Sequence, residues 1–228
     1  MASPVTPTPP TLIACKTLME EMDGLLPSRM DVEILASGLH VHADQLREAL
    51  QAKIHEITAH ARIVILGYGL CSMGVVGLKS EQSTLIIPRQ DDCISTFLGS
   101  RETYKTVLQK RPGTYFLSRG WIKAGITLVD DLKRMEARYG RARAERVMDR
   151  MLAHYTHLAF IHTGTRDPAP YQRFAQKAAD RLHLTYEEIR GTQTVLKKMV
   201  RGPWDDDFVI LGPGQTVSLS DFAPIRPE

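Results

Sequence analysis

Cysteine is scarce in this chain, and its scarcity excludes several kinds of protein. Only three cysteines occur among 228 residues, and no two of them form a C-x-x-C pair. An odd number without local pairs argues against the disulfide framework of a secreted domain. The same spacing is unlike zinc ribbons and ferredoxin runs, which need closely spaced cysteines.

Long apolar runs and concentrated charge are also absent. No apolar run approaches the roughly 20 residues of a membrane span, and the first residues lack the basic and apolar regions of a signal peptide. The net charge is only +3 and aromatics are 7%, so a nucleic-acid surface is not expected. We therefore expect a cytoplasmic protein without nucleic-acid or membrane partners, led by a disordered proline-rich segment over residues 1–10.

What the chain does have is a regular alternation of short apolar runs and amphipathic stretches. With 43% hydrophobic residues it can bury a core as a single α/β domain over residues 11–228 or as two α/β halves. The alternation predicts a Rossmann-like α/β fold, a mostly parallel sheet with helices on both faces. The predicted strands include Thr11–Cys15, Val32–Leu35, Thr84–Pro88, Thr114–Leu117, His157–His162, Leu184–Ile189 and Phe208–Leu211. The predicted helices include Lys16–Leu26, Asp44–His60, Val129–Tyr155, Tyr171–Leu182 and Thr192–Val200.

All three cysteines stand at or just past the end of a predicted strand. Cys15 ends the run TLIAC, Cys71 follows IVILGYGL, and Cys93 follows TLIIPRQDD. The carboxyl ends of parallel strands face one crevice, where ligands bind in open α/β sheets. The sequence therefore predicts that the three thiols converge on a shared site.

The third cysteine also opens a predicted helix. Asp91 or Asp92 would cap that helix and place Cys93 in its first turn, near the positive end of the helix dipole. Such a position lowers the pKa of a thiol and favours the thiolate.

Two interpretations of the cysteines remain open. They are either small buried hydrophobic residues, as free cysteines often are, or thiolate ligands of a shared metal or cluster. In the second case the ion is zinc, or the group is a [4Fe–4S] cluster with one iron exposed. Three protein ligands leave one position for substrate, which is typical of catalytic sites. His40, His42 and His162 also follow predicted strands and are the candidates for a further ligand.

Other polar residues beside the strand ends have either a structural or a chemical role. Arginines and aspartates here serve helix capping and ion pairing, or they bind an anionic substrate and move protons. On the chemical interpretation Arg89, Arg119 and Gly69 bind substrate. Asp92 and His162 then serve proton transfer.

The segments GYGLCS, IPRQDDCISTFLGS, PGTYFLSRGW and GPWDDDFVILGPG resemble a prokaryotic domain-of-unknown-function family. The resemblance runs from Leu12 to Gly214. It implies a single-domain α/β protein of a kind often encoded beside corrinoid-dependent methyltransferases. It also implies that Cys15, Cys71, Cys93 and His40 occupy family positions.

Together these observations predict a metalloprotein that acts on a small polar molecule in one-carbon or methylated-compound metabolism. The expected cofactor is a [4Fe–4S] cluster, with zinc as the alternative, and the protein is more an enzyme than a binding module. Two rival functions stay open: a zinc-dependent methyltransferase, and a non-catalytic carrier or chaperone for a metal or corrinoid. A corrinoid protein or methyltransferase is the expected protein partner.

Overall fold

The computed structural model describes residues 9–223. The chain divides into two compact units, one formed by residues up to Thr96 together with those from Thr194 onward, the other by Phe97–Gln193. The two α/β halves considered from the sequence are thus present, and whether they fold as one domain stays a prediction. The proline-rich lead predicted over residues 1–10 lies outside the described residues except for its last two positions.

Strands and helices alternate along the described residues. The strands are β1 (Thr11–Cys15), β2 (Asp31–Leu35), β3 (Ile63–Gly67), β4 (Thr84–Pro88), β5 (Thr114–Ser118), β6 (His157–His162), β7 (Thr185–Arg190) and β8 (Phe208–Leu211). The α-helices are α1 (Lys16–Glu21), α2 (Ala43–Ile57), α3 (Cys93–Leu98), α4 (Arg101–Lys110), α5 (Arg119–Ala124), α6 (Leu128–Tyr139), α7 (Arg141–Met151), α8 (Ala169–Arg181) and α9 (Thr194–Arg201). Two short 3-10 helices cover Leu39–Val41 and Leu219–Phe222.

The first unit contains a five-stranded sheet in the order β2-β1-β3-β4-β8. The first four strands are parallel, and β8 pairs antiparallel with β4. The predicted helix Asp44–His60 is observed as α2, and its residues Leu46, Leu50, Ile54 and Ile57 are buried in the core of this unit. These contacts fix the sheet whose strand ends carry the cysteines.

The second unit contains a three-stranded parallel sheet in the order β5-β6-β7. Its core joins Leu117, Leu158 and Phe160 of the sheet to Leu132 of α6 and Met148 of α7. The α/β fold with mostly parallel sheets and flanking helices, predicted from the sequence, is confirmed. None of the helices placed over residues 9–223 combines the length and apolar character needed to cross a bilayer.

One helix prediction is wrong. The pattern from Val129 to Tyr155 was expected to form a single helix, and it forms α6 and α7 instead. Gly140 separates them with φ 79°, a backbone conformation that glycine adopts without steric cost. Periodicity missed this break because apolar residues recur at helical spacing on both sides of the glycine.

Candidate functional site

The first sheet has a topological switch point between β1 and β3. β2 lies on one side of β1, whereas β3 and β4 lie on the other, so the chain reverses its direction of winding there. A crevice opens outside the carboxyl ends of the strands at such a point. Cys15 is the last residue of β1, and the segment from Tyr68 to Cys71 directly follows β3. The topology therefore places two of the cysteines at this crevice.

Backbone hydrogen bonds join the segments that follow β3 and β4. The N–H of Leu70 donates to the carbonyl of Gln90, and the N–H of Cys71 donates to the carbonyl of Asp91, both at 2.9 Å. A Cβ atom at Gly69 would lie 2.4 Å from the Gln90 carbonyl oxygen, so only glycine permits this approach. The two segments are thereby held together, which brings Cys71 next to the residues that lead into the third cysteine.

The backbone at the second cysteine is strained. Cys71, Ser72 and Met73 have φ values of 43°, 58° and 73°, three consecutive non-glycine residues in the left-handed region. Side chains other than glycine adopt this region at a cost, and such strain concentrates at functional sites. The N–H of Gly74 donates to the Cys71 carbonyl at 3.1 Å and closes the turn. The loop thus holds Cys71 in one fixed orientation.

The three thiols interact with one another. All three are free, and Cys71 is 9% exposed. Burial raises the pKa of Cys71, and the neighbouring Cys15 and Asp92 raise it further. Burial also raises the pKa of Cys93 well above its usual value, with added effects from Cys71, Asp92 and Cys15. Because the pKa values of all three cysteines are raised, their thiols are protonated at neutral pH, and their convergence on one shared site stays a prediction.

The first thiol lies where β1 passes into α1. Burial raises the pKa of Cys15, an effect that the backbone N–H groups of Leu18 and Thr17 at the start of α1 partly oppose. Those amides point toward negative charge on the sulfur, because the first N–H groups of a helix have no partner within it. These amides reduce the rise in the pKa of Cys15 without reversing it.

The expected thiolate at Cys93 is not observed. Asp92 does cap the helix, since its Oδ1 accepts a hydrogen bond from the Ser95 N–H at 2.9 Å, and Cys93 is the first residue of α3. The prediction that this position lowers the pKa of Cys93 is wrong. Burial, the neighbouring thiols and the capping carboxylate together outweigh the short helix.

Tyr68 belongs to the same cluster and was missed from the sequence. It is 4% exposed, and its hydroxyl is buried without a hydrogen-bond partner among the described residues. Burial is the largest cause of the raised pKa of Tyr68, and Cys15, Cys71 and Cys93 raise it further. Its only mark in the sequence is its position between two glycines directly after β3.

A second polar atom near the junction of β3 and β4 is also unsatisfied. Gln90 is 4% exposed, and its Oε1 is buried with no partner in the described part of the chain. A buried polar group without a partner costs about 1–3 kcal/mol. Two such groups, on Tyr68 and Gln90, follow adjacent strands at the carboxyl edge of the sheet.

His40 and Asp92 are two titratable side chains at the same edge. His40 follows β2 in the short 3-10 helix, and desolvation by the surrounding protein lowers its pKa, whereas the Asp92 carboxylate opposes that effect. Burial raises the pKa of Asp92, partly offset by its hydrogen bonds with Ser95. The structure thus places His40 within electrostatic reach of the residue that precedes Cys93.

The remaining predicted residues are placed elsewhere. The guanidinium of Arg89 donates to the backbone carbonyls of Asp206 at 3.0 Å, Phe208 at 3.2 Å and Asp221. These bonds tie β4 to the chain around β8, and a role in substrate binding stays a prediction. Arg119 and His162 belong to the second unit, at the ends of β5 and β6.

The metal-binding geometry itself is not preformed. Across residues 9–223, no three side chains of histidine, cysteine, aspartate or glutamate are arranged to hold a metal ion. A thiolate ligand set would have to draw together on loading.

The fold and this edge define an α/β protein with a thiol cluster at the switch point of a parallel sheet. A family model matches residues 34–200, more than half of the chain, and the family is described as protein of unknown function (DUF1638). The chain belongs to this family, which confirms the resemblance drawn from the sequence. His40, Cys71 and Cys93 lie within the matched residues, and Cys15 precedes them. No curated protein and no solved structure matches the chain.

Proposed function

We propose that Cys15, Cys71 and Cys93 are thiolate ligands of a soft metal centre with one coordination position open to a small polar substrate. A [4Fe–4S] cluster is the proposed group, and zinc is the alternative. One observation carries the proposal: three free thiols, each following a different strand, interact with one another and with one buried tyrosine. Thiolate is the ligand that soft metals select.

The electrostatics of the thiol cluster favour a cationic occupant. Three neighbouring thiols in a desolvated site cannot all ionise, because each thiolate would repel the others. A bound cation reverses this balance, since a coordinating thiol loses its proton. The amides at the start of α1 would then help to stabilise the Cys15 thiolate, whose pKa burial otherwise raises.

When bound, such a centre supplies a Lewis-acidic position to the substrate. The chain supplies the surroundings. The Tyr68 hydroxyl has a hydrogen bond to give inside a site from which the protein excludes water. Burial raises the pKa of Asp92, so its carboxylate is suited to hold a proton. The charge of Asp92 also acts on the pKa of His40, so the two side chains interact. His40 is the proposed further ligand or proton partner.

The substrate class rests on the resemblance and the polar groups together. A small molecule of one-carbon or methylated-compound metabolism fits the neighbourhood that the resemblance implies, and a corrinoid protein or methyltransferase is the proposed partner. The buried atoms without a hydrogen-bond partner that follow β3 and β4 include the Tyr68 hydroxyl and the Gln90 amide oxygen. Such groups favour a ligand that both accepts and donates hydrogen bonds.

The test is the metal content of the full chain purified without oxygen. We expect iron and acid-labile sulfide in the wild-type protein, and sharp loss of both in Cys15→Ser, Cys71→Ser and Cys93→Ser. Serine is nearly the same size as cysteine and is a poor ligand for iron or zinc. Met73→Leu is the matched control, because it removes an exposed sulfur beside Cys71 without removing a thiol.

The outcomes separate the alternatives. Zinc without sulfide replaces the cluster with the single ion and keeps the thiolate site. Metal-free wild-type protein that binds neither zinc nor a reconstituted cluster overturns the proposal. Full metal content in all three serine variants also overturns it and returns the cysteines to buried packing residues.

A further inference from the structure

We propose that the second unit carries a binding site for a small oxyanion, a carboxylate or phosphate group, at the carboxyl edge of its sheet. The site is formed by Arg119 and His162, with Arg190 at its rim. It is argued from the second unit alone and does not depend on the thiol centre.

Strand register places these basic residues in one row. His162, the last residue of β6, pairs with Arg190, the last residue of β7. On the other side, Ser118 pairs with Ile161, so Arg119 comes at the level of His162 one step beyond β5. β6 and β7 thus end in a basic residue and β5 is directly followed by one, at the edge where ligands bind in such sheets.

Alternation along β6 identifies the face on which this row lies. His162 shares its face with Phe160 and Leu158, since successive strand residues point to opposite sides. Phe160 and Leu158 belong to the buried cluster against which Tyr171 of α8 also packs. The guanidinium carbon of Arg119 lies 5.8 Å from the centre of the Tyr171 ring. Arg119 and His162 therefore occupy the same end of the same face, under the first turn of α8.

Burial makes these side chains a site and not a solvated surface. Arg119 is 9% exposed, although arginine is rarely buried. The Nε2 atom of His162 is buried and has no hydrogen-bond partner among the described residues. Stacking on Tyr171 orients the guanidinium, whose fork of five donors matches carboxylate and phosphate oxygens. A ligand that accepts from both Arg119 and His162 would satisfy the histidine nitrogen.

The acidic residue on the same face of β7 is engaged in other hydrogen bonds. Glu188 precedes Arg190 by two residues, so both side chains point to one face of the sheet, and Glu188 pairs with Phe160 of β6. Its carboxylate accepts hydrogen bonds from the Gln172 side chain at 2.9 Å and the Tyr186 hydroxyl at 2.8 Å. Glu188 therefore binds residues of α8 and β7.

The test is binding of inorganic phosphate, and separately of acetate, to the full chain, followed by calorimetry and by the NMR signals of the histidine rings. We expect saturable binding that shifts the His162 signals. His162→Ala should weaken it about tenfold, the usual effect of one hydrogen bond to a charged group. Arg119→Lys should weaken it as well, because the ammonium lacks the planar fork. Arg143→Gln, an exposed arginine of α7, is the control and should bind normally.

Because Arg119 is buried, its variant can fail to fold, and His162→Ala and Arg190→Gln then decide the matter. Phosphate binding without acetate binding identifies a phosphate site, and binding of both identifies a general oxyanion site. Absence of saturation, or affinities in His162→Ala and Arg190→Gln equal to the wild-type value, overturns the proposal.

Discussion

The two sheets of this protein present opposite chemistry at equivalent edges. Both are built from parallel strands, and in both the carboxyl ends carry the reactive side chains. The first edge carries acids, the thiols Cys15, Cys71 and Cys93, whose pKa values are all raised. The second carries the basic residues Arg119 and His162. If both proposals hold, the residue type at the strand ends decides whether a cation or an anion binds.

The two sheets also differ in strand order. The first sheet reverses its winding between β1 and β3, which opens a crevice, whereas the second runs in sequence order through β5, β6 and β7. In the second sheet the proposed oxyanion site lies instead near the first turn of α8, where Tyr171 contacts Arg119. The two proposed sites therefore rest on a reversal of winding in one unit and on a covering helix in the other.

The prediction with the largest expected effect concerns the protons that the three thiols of the first edge must release when a metal binds. Metal loading must displace protons from thiols whose pKa values are raised, so the affinity for zinc should rise with pH between 6 and 8. Each thiol that loses its proton contributes about a tenfold gain in affinity per pH unit. Three thiols give up to about a thousandfold per unit, measured by competition with a chelating dye.

The serine variants sharpen that measurement. Cys71→Ser removes one of the protons to be displaced, so the slope of log affinity against pH should fall by about one. A slope that is zero in the wild-type protein would contradict the thiol cluster. So would an unchanged slope in all three variants.

Gly69 offers a way to separate the two segments of the first edge. Gly69→Ala places a Cβ atom 2.4 Å from the Gln90 carbonyl oxygen and 2.8 Å from its carbon, both backbone atoms that cannot move alone. We expect a loss of about 3 kcal/mol in the free energy of unfolding, since overpacking against backbone forces the segments apart. Urea denaturation measures it. Gly212→Ala is the control, because its nearest neighbour would be 3.5 Å away, and a similar loss there would contradict the stated cause.

Several strands and part of the first site could be predicted from the sequence. β1, β4, β6 and β8 were predicted with their observed bounds, because β-branched apolar runs with polar or glycine boundaries define buried strands. The strand ends in turn indicated the cysteines. Tyr68 was missed because nothing in a lone tyrosine reports that its hydroxyl will be buried without a partner.

The direction of the pKa shift at Cys93 was also predicted wrongly. Position at a helix start suggested a thiolate at Cys93, but the pKa depends on burial and on neighbours from other strands. Those neighbours become adjacent only through the order β1-β3-β4, which periodicity does not reveal. The alignment of Arg119, His162 and Arg190 in the second sheet could not be predicted either, because it depends on the register between strands.

A third prediction concerns the stability of the metal-free protein in alkali. The folded thiols keep protons that the unfolded chain releases above its ordinary cysteine pKa of about 8.5. Stability is therefore fully present below that pH and is lost as pH rises toward the raised pKa values of the folded state. We expect Cys71→Ser to lose about 1 kcal/mol less than the wild-type protein per pH unit above about 9, by urea denaturation. Equal losses would contradict a raised pKa at Cys71.

The smallest effect compares two buried tyrosines, one in each unit. The Tyr68 hydroxyl has no partner in the described chain, whereas the Tyr115 hydroxyl accepts a hydrogen bond from the Leu128 N–H at 3.3 Å. Tyr68→Phe should therefore stabilise the metal-free protein by about 1 kcal/mol, because it removes an unsatisfied group. Tyr115→Phe should destabilise it by a similar amount, because it leaves a backbone N–H unpaired. Opposite signs in thermal unfolding support a hydroxyl kept at Tyr68 for a ligand. Destabilisation by both changes would mean that Tyr68 is already satisfied, and the case for its contact with substrate would fail.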